Sequence, residues 1–279
     1  MQRTFGHDVA LIIVKALVVI FSIIALIALS IALIAVETGI SDGTCNVAVL
    51  PVEGEIWPFY GMSYTPLIVT PEMIEISMDT IEEDDTIEAV LIEINSPGGL
   101  PVASERIAKR LSNSPLPTVG LIGDIGASGG YMVAAATDHL IASPISMVGS
   151  IGVTMSYVEQ SKQNDEDGLT YVELNTGKYK DSGSPDKALS DEERKLFQRD
   201  LDDLYETFIK MVSEYRDIPL EKVRELADGS TVNGTRAKDL GLVDEVGGRV
   251  EAKIALAKIL NKEPDDIIFC EYTSQILPF

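Results

Sequence analysis

Histidine is nearly absent from this chain: His7 and His139 are the only two in 279 residues. His7 precedes a long apolar run, so His139 alone is left to serve a catalytic centre in the rest of the chain. Hydrolases that activate a serine or cysteine commonly take a histidine as the base. The scarcity of histidine therefore argues against an ordinary Ser–His–Asp arrangement and directs attention to other bases.

Cysteine and positive charge are also scarce. Cys45 and Cys270 are the only cysteines. They are too few for a disulfide framework and have no metal-ligand spacing, so two unpaired thiols are the simpler expectation. A bridge that ties the stalk to the C-terminal end stays open as the alternative. The chain has 22 basic and 44 acidic side chains, a net charge of −22. Such a surface repels phosphate backbones, which makes nucleic acid a poor partner.

The longest apolar run covers residues 16–36, where Ser22 and Ser30 are the only polar side chains and no side chain is charged. About 20 such residues suffice for a helix to cross the hydrocarbon layer. A cleaved signal peptide has a shorter apolar region and a small-residue cleavage site after it, which this run lacks. We therefore predict an uncleaved transmembrane helix at 16–36.

The charges that flank this run predict its orientation. Arg3 and Lys15 precede it, while Glu37 and Asp42 follow it. Basic flanks stay on the cytoplasmic side of a membrane. We expect residues 1–15 to be cytoplasmic, residues 37–45 to be a linker, and residues 46–279 to form a domain outside the cytoplasm.

Apolar strands alternate with helices after the linker, which predicts an α/β fold with much parallel pairing. The expected strands are Val47–Val52, Ala89–Ile94, Pro117–Gly123 and Leu140–Ala142, and the expected helices cover 71–83, 102–111 and 128–136. Residues 159–189 are polar and acidic and predict an exposed loop around one strand, Thr170–Leu174. Ser190 and Glu193 then form a capping box that opens a helix with an apolar stripe.

Ser128 is the candidate nucleophile, because it lies between a strand and a helix in the sequence Gly-Ala-Ser-Gly-Gly. A serine hydroxyl needs a base, and its attack on a carbonyl needs donors for the oxyanion; backbone N–H groups at a helix start supply such donors. Asn95–Gly99 (Asn-Ser-Pro-Gly-Gly) also follows an apolar strand. Either turn alone could be a tight turn without activity, but turns at the carboxyl ends of parallel strands can face one cleft.

The base is expected among the lysines that follow Ser128, which include Lys162, Lys178, Lys180 and Lys187. A lysine acts as a base only if its pKa falls well below about 10.4, which burial near apolar groups can achieve. The residues by themselves leave these four alternatives open.

Several motifs together resemble the signal peptide peptidase A family. They are Asn-Ser-Pro-Gly-Gly (95–99), Gly-Asp-Ile-Gly-Ala-Ser-Gly-Gly-Tyr (123–131), Val-Gly-Ser-Ile-Gly-Val (148–153), Gly-Lys-Tyr-Lys-Asp (177–181) and the stretch 233–248. They stand in the family's order, and the chain length resembles that of half-size members with one peptidase unit.

This resemblance implies a Clp-protease/crotonase-like fold and a Ser–Lys dyad, with Ser128 as nucleophile and Lys180 as base. Ser150 matches a serine that orients the lysine, and Gly98, Gly99 and Gly129 match the oxyanion hole. The resemblance also implies a ring-shaped homo-oligomer in which a neighbouring subunit supplies the lysine. It implies no metal, nucleotide or organic cofactor.

The function expected is a membrane-anchored serine endopeptidase that cleaves leftover signal peptides or similar apolar peptides. Three alternatives stay open: a stomatin-partner-type membrane protease with the same dyad, a crotonase-type acyl-coenzyme A enzyme, and a non-catalytic membrane scaffold. Cleavage of a stomatin-like tail, coenzyme A binding, and labelling of Ser128 by a fluorophosphonate distinguish them.

Overall fold

The fold is taken from a computed structural model, which describes residues 13–26, 44–59 and 67–272. In these ranges one sheet contains nine strands. They are β1 (Val47–Ile56), β2 (Ile68–Val69), β3 (Ala89–Gly99), β4 (Thr118–Ala127), β5 (His139–Ala142), β6 (Met147–Gly149), β7 (Thr231–Asn233), β8 (Glu245–Val246) and β9 (Phe269–Glu271).

Helices lie between the strands and at the N-terminal end. Residues 13–26 form α1. The others are α2 (Pro71–Glu82), α3 (Pro101–Ser112), α4 (Gly129–Ala135), α5 (Ser161–Glu166), α6 (Asp191–Arg216), α7 (Leu220–Leu226), α8 (Gly234–Asp239) and α9 (Arg249–Leu260), followed by a 3-10 turn at Pro264–Asp266.

Parallel pairing dominates the sheet, as the alternation of strands and helices predicts. The strand order is β2-β1-β3-β4-β5-β8, and β9 joins β1. Strand β6 continues the ladder at the carboxyl end of β4 and pairs with β7, the one antiparallel pairing among the described strands. The mixed α/β architecture with a parallel sheet fits a Clp-protease-like fold.

The core lies on both faces of the sheet, because successive side chains of a strand point to opposite sides. Ala48 and Leu50 of β1 belong to the larger apolar cluster, which the helices α2, α3, α4 and α6 cover. Val47 and Val49 belong to a second cluster that packs against α9. The central strands are therefore apolar on both faces, which is typical of parallel sheets covered by helices.

Local capping signals fix the helix starts that the sequence predicts. The hydroxyl of Thr70 accepts a hydrogen bond from the Met73 amide at 3.3 Å, with Pro71 in the first turn of α2. At α6, Ser190 and Glu193 exchange both hydrogen bonds of a capping box. Both predictions are confirmed.

Two expectations were wrong. Cys45 and Cys270 form a disulfide, with their Cα atoms 5.7 Å apart, because β9 pairs in parallel with β1 and brings the two thiols together. Residues 170–174 form no strand. Their side chains are exposed and none of the described strands pairs with them, so their β propensity is not realised.

The predicted membrane helix is only partly covered by the structure. Helix α1 includes residues 16–26, whereas 27–36 and the linker up to residue 43 lie outside the described residues. Among the described helices, none is long and apolar enough to cross a membrane.

Candidate active site

Ser128 occupies a strained turn between β4 and α4. Its backbone has φ 52° and ψ −126°, a region that residues with a side chain rarely adopt, and it is the N-cap residue of α4. The Ser128 amide donates to the Gly149 carbonyl at 2.8 Å, which ties the turn to β6. Strain of this kind costs of the order of 1–3 kcal/mol and persists only where the surroundings hold it, which is common at active sites.

Ser150 follows β6 directly and also has a positive φ, 51°. Ala127 and Gly149 are partners in the β4–β6 ladder, so the residues after them, Ser128 and Ser150, leave the sheet side by side. The Ser150 hydroxyl donates to the Gly229 carbonyl at 3.0 Å, and its amide donates to the Ser230 carbonyl at 2.8 Å.

The glycine turn that ends β3 lies against the start of α4. A Cβ atom on Gly98, which has φ +98°, would be 2.6 Å from the Gly129 nitrogen. A Cβ atom on Gly129 would be 2.1 Å from the Ser104 hydroxyl oxygen and 3.3 Å from the Gly99 nitrogen. The Gly99 nitrogen and the start of α4 at Gly129 therefore lie close together, and both residues line one cavity with Ser128. We call the residues 95–99, 126–130 and 147–151 the serine edge of the sheet.

The two glycine amides of the β3 turn play different parts. The Gly98 amide donates to the Ser96 hydroxyl at 3.1 Å, and this buried hydroxyl donates to the Gly54 carbonyl at 2.6 Å. Gly98 thus gives the turn its shape, while Gly99 is the glycine of this turn that lines the cavity beside Ser128. Gly129 opens α4, where the first N–H groups have no partner within the helix.

A cavity of about 500 Å³ opens beside Ser128. Gly99, Gly129 and Ser150 line it together with Ser128, so four of the six predicted site residues meet here. Its apolar wall consists of Leu100, Met132, Val153, Leu204 and Phe208. The cavity suits an apolar side chain of a substrate whose carbonyl group lies against Ser128.

Asp228 is the one charged residue among the described residues that line this cavity. Its carboxylate accepts hydrogen bonds from the Ser230 amide at 2.8 Å and from the Ser230 hydroxyl at 2.6 Å. These bonds to Ser230 lower the pKa of Asp228 below its ordinary value. The carboxylate is therefore ionised at neutral pH.

Lys180 does not line the Ser128 cavity. It is exposed, in a turn where its amide donates to the Gly177 carbonyl at 3.1 Å. The surrounding residues 153–190, which we call the lysine segment, contain one short helix, α5, and no buried residue. A single copy of the chain thus brings Ser128, Ser150 and the glycine amides together and leaves Lys180 apart from them.

Two of the other lysines are held by carboxylates. Lys178 forms an ion pair with Glu192, and this hydrogen bond raises the lysine pKa. Lys187 lies 3.0 Å from Glu173, whose hydrogen bond likewise raises the pKa of Lys187. A raised pKa is the opposite of what a lysine base needs. Within the described residues Lys162 and Lys180 form no ion pair.

Sequence reasoning missed the residues that hold the site in shape. Ser96 stands two positions before Gly98, which is the spacing of a hydroxyl that caps a turn, and Asp228-Gly-Ser230 carries the spacing of an Asx turn. Ser104 fills the space beside Gly129. The first two signals are readable in the sequence, but their position beside Ser128 follows only from the fold.

Comparison with known proteins covers most of the chain around Ser128, beginning after the Gly98–Gly99 turn. The model of a family described as Peptidase family S49 matches residues 110–262, which is more than half of the chain. The match includes Ser128, Ser150 and Lys180.

Several curated proteins are similar to the chain. A Methanocaldococcus jannaschii protein named "Putative protease" is 36% identical over 193 residues, 68% of this chain and 62% of the relative. The "Putative signal peptide peptidase SppA" of Enterococcus faecium is 34% identical over 202 residues, 71% of this chain and 58% of the relative. The chloroplastic serine protease SPPA of Arabidopsis thaliana is 31% identical over 225 residues, 79% of this chain and 33% of the relative. The chain thus covers less than two thirds of the length of each of these three relatives.

Proposed function

The chain belongs to peptidase family S49, the family of signal peptide peptidase A, and carries a serine peptidase domain; from this premise we propose that it is a membrane-anchored endopeptidase with a Ser128–Lys180 dyad. The observation that carries the proposal is the strained Ser128 turn beside the Gly99 and Gly129 amides, at the mouth of an apolar cavity.

The proposed reaction is acyl transfer through Ser128. The Ser128 hydroxyl attacks the peptide carbonyl while the Lys180 amine takes its proton, and the lysine then gives this proton to the departing amine. The Gly99 and Gly129 amides donate to the oxyanion, since backbone N–H groups are fixed in place before the reaction begins. Water then hydrolyses the acyl-enzyme.

The lysine is proposed to come from a second copy of the chain. Lys180 is exposed and lies outside the Ser128 cavity. The same segment exposes Leu174, Val158 and Val172 by 93%, 80% and 69%, and exposed apolar side chains in one segment are typical of a surface that another protein covers. Burial in such an interface would remove water from the Lys180 amine and lower its pKa, as a base requires. A ring of copies would repeat this contact.

The membrane anchor is proposed to be residues 16–36, with residues 1–15 in the cytoplasm and the peptidase domain outside. The apolar side chains of α1 are exposed, for example Phe21 by 75% and Leu26 by 63%. The Ser22 hydroxyl donates to the Val18 carbonyl at 2.9 Å, so this polar group has a partner within the helix, as a lipid environment demands. The Cys45–Cys270 disulfide suits a location outside the reducing cytosol.

The proposed substrates are leftover signal peptides and similar apolar peptides. Met132, Leu204 and Phe208 offer an apolar wall to a side chain next to the cleaved bond. An anchored enzyme meets membrane-embedded peptides in two dimensions, which raises their effective concentration.

The decisive experiment compares Ser128→Ala, Lys180→Ala and a mixture of the two in the full-length protein, purified in detergent micelles. We expect each variant alone to lose hydrolysis of a fluorogenic signal peptide. Subunits refolded as a random mixture should recover activity at about a quarter of the interfaces, where an intact Ser128 meets an intact Lys180 from a neighbour. Lys162→Ala is the matched control, because Lys162 lies in the same segment and, like Lys180, forms no ion pair within the described residues. This variant should keep full activity.

Retained activity in Ser128→Ala would refute the enzymatic proposal. An inactive Lys162→Ala together with an active Lys180→Ala would move the base to Lys162. A mixture without any recovery, from two variants that assemble normally, would place the dyad within one chain.

A further inference from the structure

The Ser150 hydroxyl has one proton, and the fold directs it away from the place where a base would stand. The Ser150 oxygen donates this proton to the Gly229 carbonyl at 3.0 Å. A hydroxyl that has given its single proton to one acceptor can only accept further hydrogen bonds. Ser150 therefore offers its lone pairs, and not a proton, to any group that enters the cavity beside it.

The direction of this bond matters to a lysine base. A neutral amine has N–H groups and one lone pair, and the lone pair must receive the Ser128 proton. If Ser150 donated to the amine, it would occupy that lone pair. Because Ser150 accepts an N–H instead, the lone pair stays available for Ser128. By accepting the Ser150 proton, the Gly229 carbonyl thus orients the Ser150 hydroxyl so that the amine lone pair stays free for the Ser128 proton.

The turn that presents the Gly229 carbonyl is not held by burial, since residues 228–230 are all exposed. Gly229 has φ +82°, and no atom lies within 4 Å of the point where its Cβ would be. Two hydrogen bonds from Ser230 to the Asp228 carboxylate close the turn, at 2.8 and 2.6 Å. Further hydrogen bonds join the turn to the serine edge: the Gly229 amide donates to the Ile151 carbonyl at 3.2 Å, and the Ser150 amide donates to the Ser230 carbonyl at 2.8 Å.

We propose that Asp228 is a positioning residue of the peptidase: by closing the turn 228–230 it aims the Gly229 carbonyl at Ser150 and thereby sets the donor and acceptor roles around the lysine base. This inference rests on the proposed function, because it assigns a role relative to Ser150 and Lys180. Asp228 acts through Gly229 and Ser150 and does not touch the reacting atoms.

The same turn occurs at a second place, where it supplies a matched control. Asp84 accepts from the Thr86 amide at 2.9 Å and from the Thr86 hydroxyl at 2.6 Å, just after α2. Asp84 does not line the Ser128 cavity. Asp84 also accepts from the Tyr272 hydroxyl at 3.3 Å, so Asp84→Ala deletes at least as many hydrogen bonds as Asp228→Ala. A purely structural role therefore predicts an effect at Asp84 no smaller than the effect at Asp228.

The test measures inactivation of the full-length protein in detergent micelles by a fluorophosphonate probe, as kinact and KI, in Asp228→Ala, Asp228→Asn, Ser230→Ala and Asp84→Ala. We expect Asp228→Ala to lower kinact about 10-fold with KI unchanged, because a displaced orienting group costs rate rather than affinity. Asp228→Asn keeps an acceptor oxygen and should restore kinact to within about twofold of wild type. Ser230→Ala removes one of the two bonds and should lower kinact about threefold, while Asp84→Ala leaves it unchanged.

The pH profile separates positioning from a direct effect of charge. If the turn acts only by position, Asp228→Ala lowers the rate at every pH and Asp228→Asn keeps the acidic limb of the wild type. A shift of that limb to lower pH in Asp228→Asn would mean that the negative charge acts on the base directly, because loss of a nearby anion lowers a lysine pKa. That shift would overturn the proposal.

Other outcomes also overturn it. These are a wild-type kinact in folded Asp228→Ala, a loss confined to KI, or a failure of Asp228→Ala and Ser230→Ala to fold while Asp84→Ala folds. Ser128→Ala distinguishes the two levels of the argument. If this variant is not labelled and Asp228→Ala behaves as wild type, the inference fails and the proposed function stands; if it is labelled as fast as wild type, the proposed function itself fails.

Discussion

The serine edge and the lysine segment are built in opposite ways. At the serine edge a single added methyl group would overlap neighbouring atoms, for example the Ser104 hydroxyl beside Gly129. In the lysine segment nothing lies within 4 Å of a Cβ atom on Gly168 or Gly177. The serine half of the proposed dyad is fixed by close packing within its own chain. The lysine half has no buried residue and is held by hydrogen bonds and ion pairs among exposed polar side chains, such as those of Gln160 and Asn164 with Asp186. The proposed contact with another copy would bury this exposed half and so remove the difference.

The largest expected effect comes from a substitution in the closely packed serine edge. Gly129→Ala places a Cβ 2.1 Å from the Ser104 hydroxyl and must displace the start of α4. Since an oxyanion donor is worth about 10²- to 10³-fold in kcat, we expect a loss of that size in peptide hydrolysis. Gly168→Ala, at φ +69° in open space, should keep activity within about twofold and lower the free energy of unfolding by about 1–2 kcal/mol. Equal losses of activity in the two variants would contradict the contrast.

The second prediction tests whether the structure of the serine edge depends on the Cys45–Cys270 disulfide. Replacing Cys45 and Cys270 by alanine removes the disulfide between the two ends of the described domain. We expect the free energy of unfolding to fall by about 2–4 kcal/mol in denaturant titrations, because the unfolded chain gains freedom. Fluorophosphonate labelling of Ser128 at low denaturant should change by less than about twofold, since the β4–β6 ladder is intact. A large loss of labelling in the folded variant would show that the structure of the serine edge requires the disulfide.

A third prediction concerns the apolar wall that α6 contributes to the cavity. Leu204 is 40% exposed and lines this wall. Leu204→Ala should raise KM about 5- to 10-fold for peptides with a bulky apolar residue at the cleaved bond, since a few buried methyl or methylene contacts are lost. Val250→Ala, an exposed apolar change on α9, is the control. An unchanged KM together with a reduced kcat would mean that Leu204 positions the serine edge instead of binding substrate.

The smallest effect concerns pH and the end of the lysine segment. Glu193 accepts hydrogen bonds from Ser190, which lower the carboxyl pKa from 4.5 to about 2. Because the pKa is lower in the folded state than in the unfolded chain, the ionised carboxylate stabilises the folded state at pH values above 4.5. This stabilisation is lost as the pH falls towards 2. Hydrogen exchange of residues 183–197, corrected for intrinsic rates, should therefore speed up between pH 5 and pH 3.

Glu193→Gln provides the comparison for that measurement. It should exchange faster than wild type at pH 7 and lose the dependence on acid. The same pH dependence in both proteins would assign the effect to other carboxylates.

The parts of the fold that depend on local signals could be read from the sequence. The apolar runs at Val47, Ala89 and Thr118 became central strands, and Thr70 and Ser190 capped the expected helices. The short strands β2, β6 and β7 were not predicted, because a segment of two or three residues forms a strand only where a neighbouring strand pairs with it. Tyr171 and Val172 show the reverse case, in which β-forming residues lack a partner.

The candidate site was predictable where a turn follows a strand and unpredictable where distant segments meet. The turns at Gly98 and Ser128 lie side by side as expected, because parallel strands end at one edge of the sheet. The contact of Ser150 with Gly229 joins segments far apart in the chain, and no pattern within either segment reports it. The choice among the lysines also needed the fold, which showed that Lys178 and Lys187 are paired with carboxylates.

The closure of β9 onto β1 has a consequence for how this protein can be handled. With the Cα atoms of Cys45 and Cys270 5.7 Å apart, the polypeptide enters and leaves the domain at one corner. A fluorescent protein or affinity handle joined directly after Tyr272 would therefore start close to Cys45, at the corner where the described domain begins.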